Sequence, residues 1–250
     1  MFNNYKAGMV RLLKNIYFIG GCLIAFFVTF LFSSGNYTLP FLAKYPLIES
    51  TVFVSAAITL YFSAFTPLFM ASEYTDGFIR NRIINGYSQK EIYFAMLLCM
   101  ESALFIMTLV YLVGGGLGLL IAGESMTSEA LSRIFIYIIA VFGYVALMTT
   151  VSFRITKLLG SVITCVVIFN MTFNLVLFGN ALVAFSSGTV FKVARIVYNI
   201  NVLGQWFIAT GLADLEANPG TASQIVISVC VFAVSVLAGI FGLSKRDLKN

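Results

Sequence analysis

Glu101 is the one clear ionisable side chain inside an apolar segment of this 250-residue chain. It lies roughly 15 Å along a helix axis from Lys90, which would place it deep in a membrane if that segment spans one. A carboxyl group there can attract the cationic groups of a substrate or an ion. It can equally be a hydrogen-bonded group that locks helices together. The sequence leaves both interpretations open.

Asn170 and Asn174 are the other polar pair inside an apolar segment. Their spacing of four residues places both on one face of a helix. They could line a polar substrate path, or they could hydrogen-bond to a neighbouring helix. Glu101, Asn170 and Asn174 are therefore the candidate substrate-path residues.

Catalytic and metal-binding chemistry is poorly supported by the residue types present. The chain has no histidine, so it lacks the usual general base and the commonest zinc ligand. Its three aspartates lie outside the apolar segments, which argues against intramembrane aspartyl chemistry: Asp76, Asp214 and Asp247. Its four cysteines lie within those segments and form no C-x-x-C pair: Cys22, Cys99, Cys165 and Cys230. We therefore expect no enzyme active site, no metal site and no cofactor bound by this chain.

The elements that must position these residues are six apolar segments, each near the length of about 20 residues that crosses a bilayer as a helix. They cover residues 16–32, 51–71, 94–122, 134–153, 158–185 and 225–243. Such runs are too long for the alternating strands of an outer-membrane barrel. The predicted fold is a single all-α domain, residues 1–250, with six transmembrane helices.

The basic residues are distributed unevenly around these segments. One side collects Lys6, Arg11, Lys14, Arg80, Arg82, Lys90, Arg154, Lys157, Lys245, Arg246 and Lys249. The other side has Lys44, Arg133, Lys192 and Arg195. The positive-inside rule then predicts a multi-pass protein of the cell membrane with both termini in the cytoplasm. Contact with anionic lipid headgroups accounts for the net charge of +5 without a nucleic-acid partner.

Residues 1–15 are predicted to form an amphipathic interfacial helix. Its apolar side chains fall on one face: Phe2, Tyr5, Met9, Leu12 and Leu13. It is either a general anchor in the headgroup plane or an elbow leading into the first span.

Residues 72–92 form a polar, basic interruption between two apolar segments. Residues 77–85 are predicted to form a short helix, with Asp76 as its N-cap and Gly86 as its C-terminal stop. Ser88 and Glu91 then fit an S-x-x-E capping box at the start of the third span. The chain has no phosphate-binding G-x-x-x-x-G-K-[ST] loop, so an ATP-driven process would need a second polypeptide docked on this ordered loop.

Residues 186–223 form the longest external region and include an amphipathic stretch, Trp206 and the acidic residues Asp214 and Glu216. This pattern fits re-entrant helices. It fits equally a helix on the membrane surface with Trp206 as an interface anchor.

The 72–92 region, the six spans and the long external region together resemble the permease subunits of type-2 ABC exporters. In that family the first cytoplasmic loop begins with a glutamate, continues through a glycine and an apolar-basic stretch, and ends in a G-x-S-[RK]-like turn. The matching residues here are Glu73, Gly77, Phe78, Ile79, Arg80, Gly86, Ser88, Gln89, Lys90, Ile92 and Tyr93. Where the family often has a lysine at the start of the third span, this chain has Met96.

The resemblance implies a half-transporter that pairs with a second copy or with a sister permease. Two ATP-binding subunits below it would hold ATP and Mg²⁺, and residues 77–85 would be the coupling helix. The implied coupling residues are Glu73, Asp76, Gly77, Phe78, Ile79, Arg80 and Arg82. Residues 186–223 would correspond to the external re-entrant helices of the family.

The cargo that this resemblance favours is an amphipathic, membrane-active peptide. Small Phe-rich permeases of this kind are similar to the bacterial exporters of phenol-soluble modulins and to bacteriocin-immunity transporters. The alternative prediction is an ion-coupled secondary transporter or channel that uses Glu101. A membrane enzyme is a third, weaker possibility, which the lack of histidine disfavours.

Overall fold

A computed structural model describes residues 2–36, 47–213, 217–241 and 243 of the chain. The described residues form helices joined by short connections and contain no strand. The helices are α1 (Phe2–Lys14), α2 (Ile16–Ser33), α3 (Leu47–Val54), α4 (Ala56–Thr75), α5 (Phe78–Ile84), α6 (Gln89–Ala122), α7 (Ser128–Arg154), α8 (Leu158–Phe185), α9 (Gly188–Ile200), α10 (Val202–Ala209) and α11 (Thr221–Ile240). Lys44, Asp214, Glu216 and the basic residues Lys245, Arg246 and Lys249 lie outside the described residues.

Six helical segments are long and apolar enough to cross a membrane, which confirms the predicted number of spans and the all-helical class. They are α2, α3 with α4, α6, α7, α8 and α11. The second span differs from the prediction of one continuous helix, because Ser55 interrupts it between α3 and α4. The Ser55 hydroxyl donates to the carbonyl of Val52 at 2.6 Å, a local bond that competes with the helical pattern.

The longest helix, α6, has 34 residues and is about 51 Å long. It runs parallel to α2. The two helices approach closely because Gly114 and Gly118 face the α2 backbone. A Cβ atom on Gly118 would stand 2.7 Å from the carbonyl oxygen of Phe30, and one on Gly114 would stand 2.7 Å from that of Phe26. This G-x-x-x-G spacing therefore sets the distance between the first and third spans.

Buried hydroxyl groups connect α4 to α7 along the bundle. Ser63 and Tyr144 share a hydrogen bond of 2.8 Å, and Thr59 and Tyr137 form a second pair one helical turn away. Nearer the other end of both helices, the Tyr74 hydroxyl donates to the carbonyl of Phe153 at 2.7 Å. Side-chain hydrogen bonds of this kind join helices where apolar contacts alone give little specificity.

The two ends of the bundle are distinct. At one, here called the α5 end, α4 leads through α5 into α6, and α7 and α11 terminate. Arg154 at the end of α7 donates to the carbonyl of Ala238 in the last turn of α11 and to that of the C-cap residue Phe241, at 2.6 and 2.5 Å. The opposite end, here called the α10 end, holds α10.

The N-terminal helix α1 is packed on the protein rather than detached from it. Its buried residues are Asn4, Gly8 and Leu12, and the Tyr5 hydroxyl lies 2.9 Å from the Ser102 hydroxyl of α6. Of the predicted apolar face, Leu12 is buried against the bundle, whereas Phe2 and Leu13 are exposed. Helix α1 therefore buries Asn4, Gly8 and Leu12 against the bundle and leaves Phe2 and Leu13 exposed on its other side.

We predict that substitution of Gly118 by Ala destabilises the protein by about 1–3 kcal/mol, because the added methyl group meets backbone atoms of α2 and the two helices must separate. The measurement is the unfolding midpoint of the purified chain in one detergent. Gly116→Ala is the matched control, since nothing lies within 4 Å of a Cβ atom there. Equal midpoints for the two variants would contradict the proposed role of Gly118.

Candidate functional site

The candidate site is built around α5, the short helix between the second and third spans. Gly77 has a φ of 75°, a left-handed conformation that few other residues adopt easily, and it lets the chain turn directly from α4 into α5. Gly86, with a φ of 86°, ends the turn after α5. The Ser88–Glu91 capping box at the start of α6 is confirmed. Asp76, in contrast, is not the N-cap of α5: it is the C-cap of α4, and Gly77 is the N-cap.

A buried carboxylate lies at the centre of the polar contacts between α5 and the bundle. Glu73, near the end of α4, is only 1% exposed, and its oxygens accept from Arg11 of α1 at 2.5 and 2.7 Å. Its Oε2 also lies 3.3 Å from Nη2 of Arg82 on α5. One negative charge is therefore shared by two guanidinium groups from two other helices. The bidentate contact with Arg11 has the geometry of the stronger class of ion pair.

The two arginines make further contacts that fix their positions. The guanidinium carbon of Arg11 lies 4.2 Å from the centre of the Phe78 ring, a cation–π arrangement with the first residue of α5. Nη1 of Arg82 lies 3.3 Å from the sulfur of Met96 on α6. Burial lowers the pKa of Arg82 from its ordinary value, and the charge of Glu73 opposes that shift. The cluster therefore joins α1, α4, α5 and α6.

The opposite face of α5 is free of the bundle. Ile79 is buried beneath the helix, whereas Arg80 and Asn81 are exposed and Ile84 is 71% exposed. A short, rigidly held helix thus presents a cationic group beside an exposed aliphatic side chain. An exposed pair of this composition is suited to a partner with an acidic rim and an apolar socket.

The structure brings five of the seven predicted coupling residues into one unit: Glu73 and Arg82 in the ion cluster, Phe78 beneath Arg11, Ile79 in the core and Arg80 on the outer face. Asp76 and Gly77 form the turn that leads into it. The sequence reasoning missed Arg11, which it treated only as part of the basic face of the N-terminal helix. No local signal pairs it with Glu73, because the two are 62 positions apart.

Glu101 is a buried carboxyl group of a different kind. It is 9% exposed on α6, and neither of its oxygens has a hydrogen-bond partner among the described residues. Asn170 and Asn174, in contrast, are exposed on α8, and the amide of Asn174 donates to the carbonyl and side-chain oxygens of Asn170 at 2.8 and 2.9 Å. The structure therefore does not gather the three predicted substrate-path residues into one site.

Residues 188–209 form a helical hairpin at the α10 end, with Asn201 at its tip between α9 and α10. The Asn201 side chain donates to the carbonyl of Thr172 at 2.8 Å, and Thr172 lies about 20 Å along α8 from its last residue. Helix α9 therefore runs back beside α8. Trp206 on α10 is buried against Phe53, with its indole N–H donating to the Phe53 carbonyl at 3.0 Å, so it is not an exposed anchor.

A second ion pair fixes the hairpin to the bundle. Arg133 on α7 binds both oxygens of Glu49 on α3, at 2.6 and 3.1 Å, and also donates to the carbonyl of Ala209 at the end of α10. The sequence reasoning assigned no role to Glu49. Its partner is 84 positions away, so the pairing depends on the fold.

The described residues contain no group of three or more His, Cys, Asp or Glu side chains that could hold a metal ion. Comparisons with protein-family models, with curated proteins and with solved structures gave no match to this chain.

We predict that Glu73→Gln costs about 3–5 kcal/mol of stability, because it leaves the buried Arg82 and its neighbour Arg11 without a counter-charge. The measurement is the unfolding free energy or midpoint in one detergent. Glu101→Gln is the matched control, because it makes the same chemical change at a buried glutamate whose oxygens accept no hydrogen bond from the described residues. A comparable loss in both variants would show that Glu73 has no special role.

Proposed function

We propose that this chain is the membrane-spanning subunit of an ATP-driven exporter of the ABC type. In this proposal it carries no ATPase site, and two partner subunits bind ATP and Mg²⁺ at the α5 end, in the cytoplasm. The resemblance of residues 72–92 to the first cytoplasmic loop of type-2 permeases is one support. The plasma membrane of a bacterium is the proposed location.

The observation that carries the proposal is the attachment of α5. A coupling helix must present a free face to its motor and be fixed to the spans that it moves. Helix α5 has both properties, since Arg80 and Ile84 are exposed while Arg82 is tied to Glu73 of the second span. Through Arg11 the same carboxylate also reaches α1, so a push on α5 would act on the first three spans together.

The remaining short helices have proposed roles that follow from their contacts. Helix α1 is the interfacial elbow, because Asn15 caps α2 directly after it and the apolar side chains of Phe2, Val10 and Leu13 are exposed on its outer side. The hairpin of α9 and α10 is the external re-entrant element. Its tip at Asn201 reaches the level of Thr172 on α8. There the carbonyl of Asn199 accepts from the Gln205 side chain and the N–H of Leu203 donates to the Asn201 side chain, as backbone groups in a membrane-embedded turn require.

A second copy of the chain, or a sister permease, is proposed to cover the exposed face of α8. Asn170 and Asn174 on that face are costly to leave in lipid, and a partner helix would supply hydrogen-bond groups for them. Beside them lies an apolar groove of about 340 Å³ between α2, α3, α4, α8 and α10, lined by Phe53, Phe169 and Phe173. An aromatic groove at such an interface suits the apolar side chains of an amphipathic peptide.

A second candidate function is ion-coupled transport through Glu101. The observation in its favour is the buried carboxyl group without a hydrogen-bond partner among the described residues, since such groups in spans often serve ion or proton transfer. The ATP-driven proposal is preferred because it explains the ordered, two-faced α5, for which an ion-coupled carrier has no need.

We expect an ATP-binding protein with a phosphate-binding loop to co-purify with this chain from its native membrane in mild detergent. Charge reversal in Arg80→Glu should remove most of that partner, because Arg80 lies on the exposed face of α5. The partner is quantified by mass spectrometry relative to this chain.

Lys157→Glu is the control, since it reverses an exposed charge in the connection between α7 and α8, at the same end of the bundle but outside α5. It should leave the partner bound. Purification of the wild-type chain alone, with transport that needs an ion gradient and fails in Glu101→Gln, would replace the proposal with the ion-coupled function.

A further inference from the structure

A cavity of about 300 Å³ lies under the tip of the α9–α10 hairpin, separate from the aromatic groove described above. It is enclosed by α7, α8, α11 and both helices of the hairpin. Its lining includes Ala140, Leu147, Leu175, Ile200 and Val231. This volume is at the lower end of the range of about 300–1,000 Å³ found for ligand pockets.

The polar side chains that line the cavity are already occupied by one another and by the backbone. The Tyr144 hydroxyl shares a hydrogen bond with the Ser63 hydroxyl. The side-chain nitrogen of Asn201 donates to the carbonyl of Thr172, and its side-chain oxygen accepts from the N–H of Leu203. The Gln205 amide donates to the carbonyl of Asn199 and to the Ser228 hydroxyl. A polar ligand would have to break these bonds, so the cavity favours an apolar occupant.

The mouth of the cavity opens on the outer surface of the spans. Leu175, Val197 and Ile200 line it and are 50%, 45% and 51% exposed. These side chains continue an aliphatic stripe along the outward face of α9, which also includes Val190, Val193 and Ile196. The stripe leads from the start of α9 to the cavity without a charged side chain in its path.

The dimensions fit one hydrocarbon chain of a lipid. Lys192, exposed beside the start of the stripe, lies about 12 Å along α9 from Ile200, and one leaflet of hydrocarbon is about 15 Å thick. A phospholipid with its headgroup near Lys192 would therefore extend a chain along the stripe and into the cavity.

We propose that this cavity binds one acyl chain of a membrane phospholipid, which enters between α8 and the hairpin and packs beneath Asn201. The inference rests on the placement of the α9–α10 hairpin inside the membrane. It needs neither ATP nor a partner protein, so it can hold or fail independently of the exporter assignment.

The test uses the full-length chain in phosphatidylglycerol vesicles that contain a trace of phosphatidylglycerol with a photoactivatable group near the end of one acyl chain. After illumination, labelled residues are mapped by peptide mass spectrometry. We expect strong labelling of the cavity residues Ala140, Leu147 and Val231, and weaker labelling of Leu23 and Ile24, which are exposed on α2.

Ala140→Phe fills the cavity and should reduce labelling of Leu147 and Val231 to background while leaving α2 labelling unchanged. Ala57→Phe is the matched control, because it adds the same ring in the aromatic groove instead. Should Ala140→Phe fold poorly, Val231→Phe fills the same space from a partly buried position. Labelling of the cavity residues at or below the level of α2, or labelling that neither cavity-filling variant reduces, would overturn the proposal.

Discussion

The structure depends on one buried carboxylate, Glu73, and on the two arginines that neutralise it. Ionised side chains removed from water are stable only with opposite charges and hydrogen bonds. Glu73 obtains hydrogen bonds and an opposite charge from Arg11 and a second opposite charge from Arg82. The two arginines lie on helices before and after the second span. Because all three groups must meet, the positions of α1, α4 and α5 are determined together. This shared requirement makes α5 part of the bundle and not a loose tether.

The same constraint operates through the rest of the bundle with weaker groups. Tyr137 and Tyr144 reach hydroxyl partners on α4, and Arg133 bridges Glu49 and the end of α10. Polar groups in apolar surroundings are expensive unless they are paired, so each pair selects one arrangement of helices among many that would bury similar apolar area. Glu101 is the exception among the described buried acids, because its oxygens have no hydrogen-bond partner.

The sequence predicted those features that depend on local composition. Six spans follow from hydropathy, and the Ser88–Glu91 capping box and the stop at Gly86 follow from short-range chemistry. The break at Ser55 was missed because the apolar run is continuous across it. The Arg11–Glu73 and Arg133–Glu49 pairs join residues 62 and 84 positions apart, and no local pattern encodes such contacts. Asp76 was wrongly placed as a helix N-cap because the left-handed Gly77 starts α5 one residue later.

The proposed function depends on Glu73 transmitting movement of α5 to the spans through its arginine partners. The most direct measurement is export per ATP hydrolysed, in vesicles that contain the complete complex, for Arg11→Gln. This change leaves Arg82 beside Glu73, so partner binding and ATP hydrolysis should persist while most export is lost. Lys14→Gln, an exposed position on the same helix, should behave as the wild type. The account would be contradicted if the complex with Arg11→Gln exported as much substrate per ATP hydrolysed as the wild type.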